Sequence, residues 1–312
     1  MELNIFAPQE LPAVLRALRQ VAVANDRFTP AEGALIDGVA RIHGVTFDSH
    51  VPAPISFDEL ARVVSDPHSR KRVVQLAIVT ALVEGAPSPE TEVVVRQLAA
   101  ALSIDEEGLA VLHRLTHGHL LMARIDMFRR VTRFLRNTKE FPGVLRFAMP
   151  LLGVGGGDPE LAARYHQLGT CAPGTLGRAF HQHFIDNDFK FPGETGGLPM
   201  PFHDLGHVLS GYSTDPHGEI QQAAFQAGFA RRDGFSFLLF GILQFHIGLR
   251  ITPVAQGHLG HFDVPLVLDA LHRGACCQVD LTDGFDILGQ KDRPLEAVRA
   301  ELGIPPLGKL AA

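Results

Sequence analysis

Two histidines and two carboxylates lie close together along one short stretch of the chain, and they are residue types that bind metals. The stretch is His203-Asp204-Leu205-Gly206-His207, and Glu219 follows after eleven further residues. Histidines four positions apart share one face of a helix. Imidazole and carboxylate ligands together suit zinc, manganese or non-haem iron. The spacing therefore predicts a divalent-metal site, although a solvated surface pair also has this spacing.

Helix boundaries on both sides of the histidines explain how Glu219 returns to them. Pro199 and Pro201 are expected to start the first helix, and Gly211 breaks the chain after it. Asp215-Pro216 is typical of an N-cap followed by proline at the first helical position. Glu219 then falls in the first turn of the second helix, where a carboxylate is favoured. These local signals predict that the second helix brings its carboxylate back to the imidazoles.

We assign His203, His207 and Glu219 as metal ligands. Asp204 is either the fourth ligand or a catalytic carboxylate that orients and activates the bound group. A metallohydrolase is an alternative, in which the residue after the first histidine acts as general base. The zinc proteases carry Glu there, and Asp204 is one methylene shorter, which would move the base away from a metal-bound water.

Four segments resemble, in order and spacing, the coenzyme Q biosynthesis protein 4 family, a helical group required for making ubiquinone. One is the pattern His-Asp, two residues, His, eleven residues, Glu. The others are residues 173–177, residues 218–220 with Phe225, and residues 293–304, so that the resemblance covers about residues 160 to 306. The chain differs from the family along residues 191–199 and at Gly206, where members usually carry an aromatic residue.

The resemblance implies a metal-dependent lyase that acts on a polyprenylated hydroxybenzoate-type acid. The carboxyl group at ring carbon 1 would be lost and the same carbon hydroxylated. Zinc is the implied metal; ferrous iron is the alternative, because zinc has no redox chemistry. Implied partners are a prenylated aromatic or isoprenoid lipid and other quinone-biosynthesis proteins, and a homodimer is a further expectation. The rival hypothesis is a non-catalytic scaffold that binds isoprenoid or quinone lipids for those enzymes.

The composition favours a filled-core protein in a reducing compartment. Of the 312 residues 46% are apolar, and the net charge of −6 argues against a nucleic-acid partner. Cys171, Cys276 and Cys277 have no spacing suited to a disulfide framework. The start lacks a secretory or transit pattern, and the longest apolar run, residues 234–249, falls short of a spanning helix. We expect a cytoplasmic protein, in one alternative peripheral on the inner face of the membrane.

Helical periodicity dominates the chain and predicts an all-α fold. One apolar stripe near the start comprises Leu11, Val14, Leu15, Leu18, Val21 and Ala22. Capping-box patterns at Thr29, Ser56 and Ser103 predict three helix starts. Strand-type alternation is nearly absent.

Two helical domains are predicted, residues 1–152 and 153–312, divided by the glycine-rich stretch 153–159. Within the first, residues 14–39 align with residues 73–98 at a constant offset of 59, with Thr29-Pro30 and Ser88-Pro89 at the turns. This pseudo-duplication resembles the small helical domain of tellurite-resistance B-type proteins. The second domain carries the predicted metal site.

Residues 120–139 are predicted to form a longer helix with several arginines. Its apolar side is expected to comprise Leu121, Ile125, Phe128, Val131 and Leu135. The simpler interpretation is that this side packs against the protein while the arginines are solvated. The alternative is that the helix rests on an anionic membrane surface.

The other histidines are assigned structural roles. His181 and His183 are two positions apart and do not share a helix face, whereas His113 and His117 share one but have no neighbouring acid in the sequence. His217 is kept as an outer partner of the metal site. The phenylalanine stripe is expected to pack in the core, with an apolar slot as the alternative; it comprises Phe225, Phe229, Phe237, Phe240 and Phe245.

Overall fold

The computed structural model describes residues 1–49, 54–137, 157–197, 201–252 and 255–308, and these residues form fourteen α-helices and no β-strand. The predicted all-α fold is confirmed. The helices are α1 Leu11–Ala22, α2 Pro30–Ile42, α3 Phe57–Val63, α4 Pro67–Leu82, α5 Pro89–Ala101, α6 Gly108–Thr116, α7 Leu120–Arg136, α8 Pro159–His166, α9 Leu176–Asp186, α10 Phe202–Ser210, α11 Pro216–Phe229, α12 Phe235–Phe245, α13 Val264–Cys276 and α14 Leu295–Glu301. Across the described ranges, each helix is too short or too polar to span a bilayer.

The duplicated segments form two helix–turn–helix pairs, α1–α2 and α4–α5. Thr29 caps α2 through a complete capping box with Glu32. Ser88 caps α5 by accepting the amide hydrogen of Thr91, and proline occupies the first turn of both helices. The repeat predicted from the sequence is therefore a repeat of structure.

One of the three predicted helix starts is wrong. Ser56 caps α3 as expected, but α6 begins at Gly108 and not after Ser103, whose φ is +56°. Glu106 is only 2% exposed and forms an ion pair with Arg130. In the folded chain Glu106 therefore pairs with Arg130 and does not cap a helix that starts after Ser103.

The predicted buried side of α7 is also wrong in part. Leu121 is 67% and Phe128 41% exposed, whereas Ala123, Met127 and Phe134 are buried. The buried face includes Arg130, whose charge is balanced by other side chains. A prediction from apolar residues alone assigns every arginine to the solvent side. It therefore did not include Arg130 in the face of α7 that packs on the core.

The two predicted halves of the chain pack against each other. Helix α13 packs on α2, and α12 packs on α4 and α7. Helix α11 crosses α13 where Gly228 and Gly274 lie; a Cβ atom on Gly274 would come within 2.0 Å of the Phe225 carbonyl oxygen. The predicted boundary between residues 152 and 153 lies outside the described residues.

The phenylalanines of α11 and α12 pack in this shared core, as predicted. Phe225 and Phe229 are completely buried, Phe237 and Phe245 are less than a tenth exposed, and Phe240 is partly buried against them. Their packing fixes α11 as the central helix on which α10 rests.

Candidate metal centre

Helices α10 and α11 carry the predicted ligands, and their boundaries agree with the local signals in the sequence. Gly211 ends α10 in the left-handed conformation, with φ +81°. Asp215 caps α11 by accepting the amide hydrogens of His217 and Gly218, and Glu219 lies in the first turn. Pro201 directly precedes α10, whereas Pro199 lies outside the described residues.

Two arginines from later helices hold the C-terminal end of α10. Arg273 donates a hydrogen bond to the Ser210 carbonyl oxygen at 3.0 Å. Arg299 donates to the Leu209 carbonyl at 2.9 Å and to the Val208 carbonyl at 2.8 Å. The last carbonyl groups of a helix have no partner within it, so these cations satisfy them and stabilise the negative end of the helix dipole. The helix end that carries His207 is therefore held by two other helices.

His203, His207 and Glu219 bring their ligand atoms together in space. The Nε2 atoms of the two histidines are 3.2 Å apart. Glu219 Oε2 lies 3.4 Å from His203 Nε2, and Glu219 Oε1 lies 3.6 Å from His207 Nε2. Metal–ligand bonds of about 2.0–2.2 Å separate neighbouring ligand atoms by about 2.8–3.6 Å. The separations between these three residues are those expected of ligands to one divalent metal.

The outer nitrogen of each imidazole is fixed by a hydrogen bond. His207 Nδ1 donates to the Tyr212 carbonyl oxygen at 3.0 Å, and His203 Nδ1 lies 3.3 Å from Gln226 Oε1. We assign the proton to Nδ1 in both rings because each faces an acceptor. This leaves the two Nε2 atoms to face Glu219, which is the arrangement typical of histidines that bind a metal.

In the metal-free chain the two histidines differ in charge. Burial opposes a charge on His203, but the hydrogen bond and the charge of Glu219 outweigh it and raise its pKa to about 9. Burial and the neighbouring charge of His203 lower the pKa of His207 to about 4. At neutral pH a proton on His203 Nε2 therefore lies where a metal would bind, facing the lone pair of His207.

Asp204 is not a member of the ligand group formed by the other three residues in the described chain. Its Oδ1 lies 3.4 Å from His183 Nε2, and the His183 ring stacks on His207 with centroids 5.5 Å apart. Burial opposes ionisation of Asp204, but the hydrogen bond to His183 and the charge of His203 hold its pKa below the usual value. The structure thus gives Asp204 a histidine partner beside the metal centre.

Sequence reasoning missed three residues around the centre. His183 was assigned to structure because it is out of phase with His181, yet α9 packs on α10 and places it against Asp204. Gln226 and Gln222 come from the buried face of α11. The signal that could have identified the two glutamines is their position on the apolar, core-facing side of α11, where a polar residue needs a partner.

Gly206 permits the close packing of α10 on α11. A Cβ atom at this position would come within 1.9 Å of Gln222 Nε2. Gln222 is fully buried and accepts a hydrogen bond from Ser210 Oγ at 2.9 Å, so it has little freedom to move. The absence of a side chain at Gly206 thus has a packing reason.

The structure gives three other histidines neighbours that their sequence context did not show. His217 lies at the surface with its Nε2 3.0 Å from His261 Nδ1, and its outer role at the metal centre stays a prediction. The sequence places no acid beside His113 and His117, but Glu92 from another helix lies 2.7 Å from His113 Nδ1. Tertiary packing supplied the acid that the adjacent sequence lacks.

The centre is closed on one side and open on the other. The His207 side chain is 1% exposed, that of Glu219 18% and that of His203 41%. A metal held here would be reached from the His203 side, which leaves positions for water or a substrate. A separate cavity of about 650 Å³ lies between α5, α6 and α7, and none of the three ligand residues lines it.

Models of known protein families and curated proteins give no match to this chain. The fold and the site therefore define an all-α protein with a candidate metal centre of two imidazoles and one carboxylate.

Proposed function

We propose that this protein is a metal-dependent enzyme of quinone biosynthesis, which removes the ring-1 carboxyl group of a polyprenylated hydroxybenzoate-type acid and hydroxylates the same carbon. The observation that carries the proposal is the convergence of both Nε2 atoms and the Glu219 carboxylate within 3.6 Å. The resemblance of the His-Asp-x2-His-x11-Glu pattern to the coenzyme Q biosynthesis protein 4 family supports the substrate class.

The proposed reaction balances with dioxygen as oxidant. The ring–carboxyl bond breaks and the carboxyl group leaves as carbon dioxide, while a ring–oxygen bond forms in its place. With one molecule of dioxygen and one of water, the products are the phenol, carbon dioxide and hydrogen peroxide. When bound, a divalent metal would hold the substrate carboxylate or phenolate and draw charge from the ring.

The residues of the chain bind and orient the substrate. His203, His207 and Glu219 would hold the metal, either zinc or ferrous iron. We assign Asp204 the role of the catalytic carboxylate, because it lies outside the ligand group and its low pKa keeps it ionised. The Asp204–His183 pair, 3.4 Å apart, would exchange a proton with the substrate hydroxyl group.

We further propose that the protein meets its lipid substrate at an anionic membrane surface on the cytoplasmic side. Leu120 and Leu121 at the start of α7 and Phe128 farther along are exposed. Arg129 and Arg133 on the same helix are 70% and 61% exposed. Exposed apolar side chains beside arginines suit an anionic bilayer. Sedimentation with phosphatidylserine vesicles should decrease in Leu121→Asp; equal sedimentation would refute this surface.

The metal test compares the purified wild-type protein with His207→Ala and Glu219→Ala by elemental analysis. Each variant should lose one metal per chain relative to the wild type, because it lacks one of three ligands. His68→Ala is the matched control: His68 forms a 3.6 Å pair with Glu2 at the surface and belongs to no group of three ligand residues among the described residues. An equal metal content in wild type and both variants would contradict the proposal.

The activity test uses a carboxyl-labelled hydroxybenzoate that carries a short prenyl tail. Labelled carbon dioxide should be released by the metal-loaded wild type in air but not without oxygen. Asp204→Asn should bind the metal normally and release carbon dioxide about 100-fold more slowly, a typical contribution of a general acid or base.

The scaffold hypothesis gives the opposite result. A folded His203→Ala protein that still supports quinone formation in cells would show that the metal centre does not catalyse the reaction.

A further inference from the structure

A second group of metal-ligand residues lies away from the first. Glu92 is in the first turn of α5, His113 is in α6, and His117 is the residue that ends α6. One carboxylate oxygen and one nitrogen of each ring all lie within 4.8 Å of one another. The imidazole rings are close, with centroids 4.2 Å apart. The group is thus assembled from two helices, as the first one is.

The charge of Glu92 needs a partner, because its side chain is only 6% exposed. The side-chain nitrogen atoms nearest to it are His113 Nδ1 at 2.7 Å and His117 Nδ1 at 3.6 Å. Arg96 lies farther away, at 3.8 Å, and is 56% exposed, so solvent screens much of its charge. A buried carboxylate is stable only when it is paired or bound to a metal. The imidazoles of His113 and His117 are the nearest side chains that could pair with Glu92 or share a metal with it.

The histidines keep the group open to solvent. The side chain of His113 is 46% and that of His117 48% exposed, so a bound ion would be reached directly from water. The His117 ring is oriented by its Nδ1, which lies 2.9 Å from the carbonyl oxygen of His113. Hydrogen bonds of this kind orient metal-binding imidazoles in proteins. The group therefore combines a buried carboxylate with two imidazoles that are open to water.

We propose that Glu92, His113 and His117 form a second divalent-metal site, of the type that takes Zn²⁺. Two imidazoles and one carboxylate with the remaining positions open to water are ligands that zinc accepts. Because Glu92 belongs to α5 and the histidines to α6, the ion would join the two helices. This site is independent of the centre on α10 and α11.

The site is tested in a protein whose first centre has been removed by His207→Ala. Elemental analysis after zinc loading and gel filtration should find one zinc per chain in this variant and none in His207→Ala/His113→Ala or His207→Ala/His117→Ala. The control His207→Ala/His68→Ala removes the surface pair with Glu2 and should keep its zinc. Both substituted histidines are half exposed, so the variants should fold, and circular dichroism checks that they do.

Titration calorimetry with zinc gives a second measurement on the same variants. The loss of either histidine should weaken zinc binding by about tenfold or more, since loss of even an outer partner of a ligand costs this much. Zinc at 100 times the Kd of His207→Ala should raise the Tm of that variant by about 4 °C and that of the double variants by about 2 °C or less. Equal zinc content and equal Tm in His207→Ala and both double variants would overturn the proposal, whatever the result at the first centre.

Discussion

At the residue scale, Glu219 determines how the two imidazoles of the first centre are charged. Its carboxylate is the main group that favours the cationic form of His203, while burial keeps His207 neutral. The spacing in the sequence predicts that these three residues meet. It does not predict that one ring is protonated and the other is not, because that difference comes from the hydrogen bond of Glu219 to His203 and from the burial of His207 beside that charge.

The raised pKa of His203 makes metal binding depend on pH. Below about pH 9 a proton occupies Nε2 in the metal-free chain and must leave before a metal binds there. His207, with a pKa of about 4, is already neutral and releases none. We expect release of about one proton per metal at pH 7.5, and an apparent affinity that falls about tenfold per pH unit as the pH falls from about 9 toward 7.

Calorimetry in two buffers with different ionisation enthalpies measures this proton release. The His113→Ala protein is used so that the group around Glu92 does not contribute. Binding without proton release at pH 7.5 would mean that His203 is not the protonated member of the pair.

At the element scale, small residues allow α10 and α11 to approach closely enough for their side chains to converge. Gly206 accommodates Gln222, and Gly218 lies against the turn before α11, where a Cβ atom would come within 2.1 Å of the Ser213 carbonyl oxygen. The caps of both helices were predictable because they depend on neighbours in the sequence. The close contacts were not, because they depend on which helix lies opposite.

Gly218→Ala should disturb the first centre through the backbone. The added Cβ atom would collide with a carbonyl oxygen, which has no alternative rotamer, so the first turn of α11 and Glu219 must shift. We expect a loss of about 1–3 kcal/mol in the free energy of unfolding, measured with urea, and weaker metal binding.

The matched control is Gly33→Ala, in the first turn of α2. Its nearest contacts would be at 3.4 Å, an ordinary van der Waals distance. The control should be neutral or stabilise the protein by up to about 1 kcal/mol, because alanine reduces the entropy of the unfolded chain. Equal effects of the two substitutions would show that the Gly218 contact is not the cause.

At the scale of the whole molecule, one buried arginine joins the two predicted halves. Arg130 on α7 lies 2.7 Å from Glu106 before α6 and donates to both carboxylate oxygens of Asp233, at 2.5 and 2.8 Å. Both Arg130 and Glu106 are less than 5% exposed. The amphipathic pattern assigned the arginines of α7 to solvent, and only the packing of α6, α7 and α12 reveals that this one is internal.

Arg130→Met should destabilise the fold by about 3–5 kcal/mol, because the buried carboxylate of Glu106 then keeps only the half-exposed Lys71, 3.8 Å away, as a cation. Chemical denaturation measures the loss. Arg129→Met is the matched control: Arg129 is 70% exposed and lies 3.9 Å from Asp126, so its removal should change stability by less than about 0.5 kcal/mol. Glu106→Gln added to Arg130→Met should restore part of the stability; failure to do so would mean that the buried charge is not the cause.

The sequence by itself determined the helical class, the starts of α2, α3, α5 and α11 and the meeting of His203, His207 and Glu219. Capping, proline position and i,i+4 spacing act within a few residues. The short turn before α11 also limits how far Glu219, in the first turn of that helix, can lie from the two histidines. The tertiary structure alone decided that Asp204 meets His183, that Glu92 meets His113 and His117, and that Arg130 is buried. Each of these contacts joins different helices, so it exists only after the helices have packed and burial has made an unpaired charge costly.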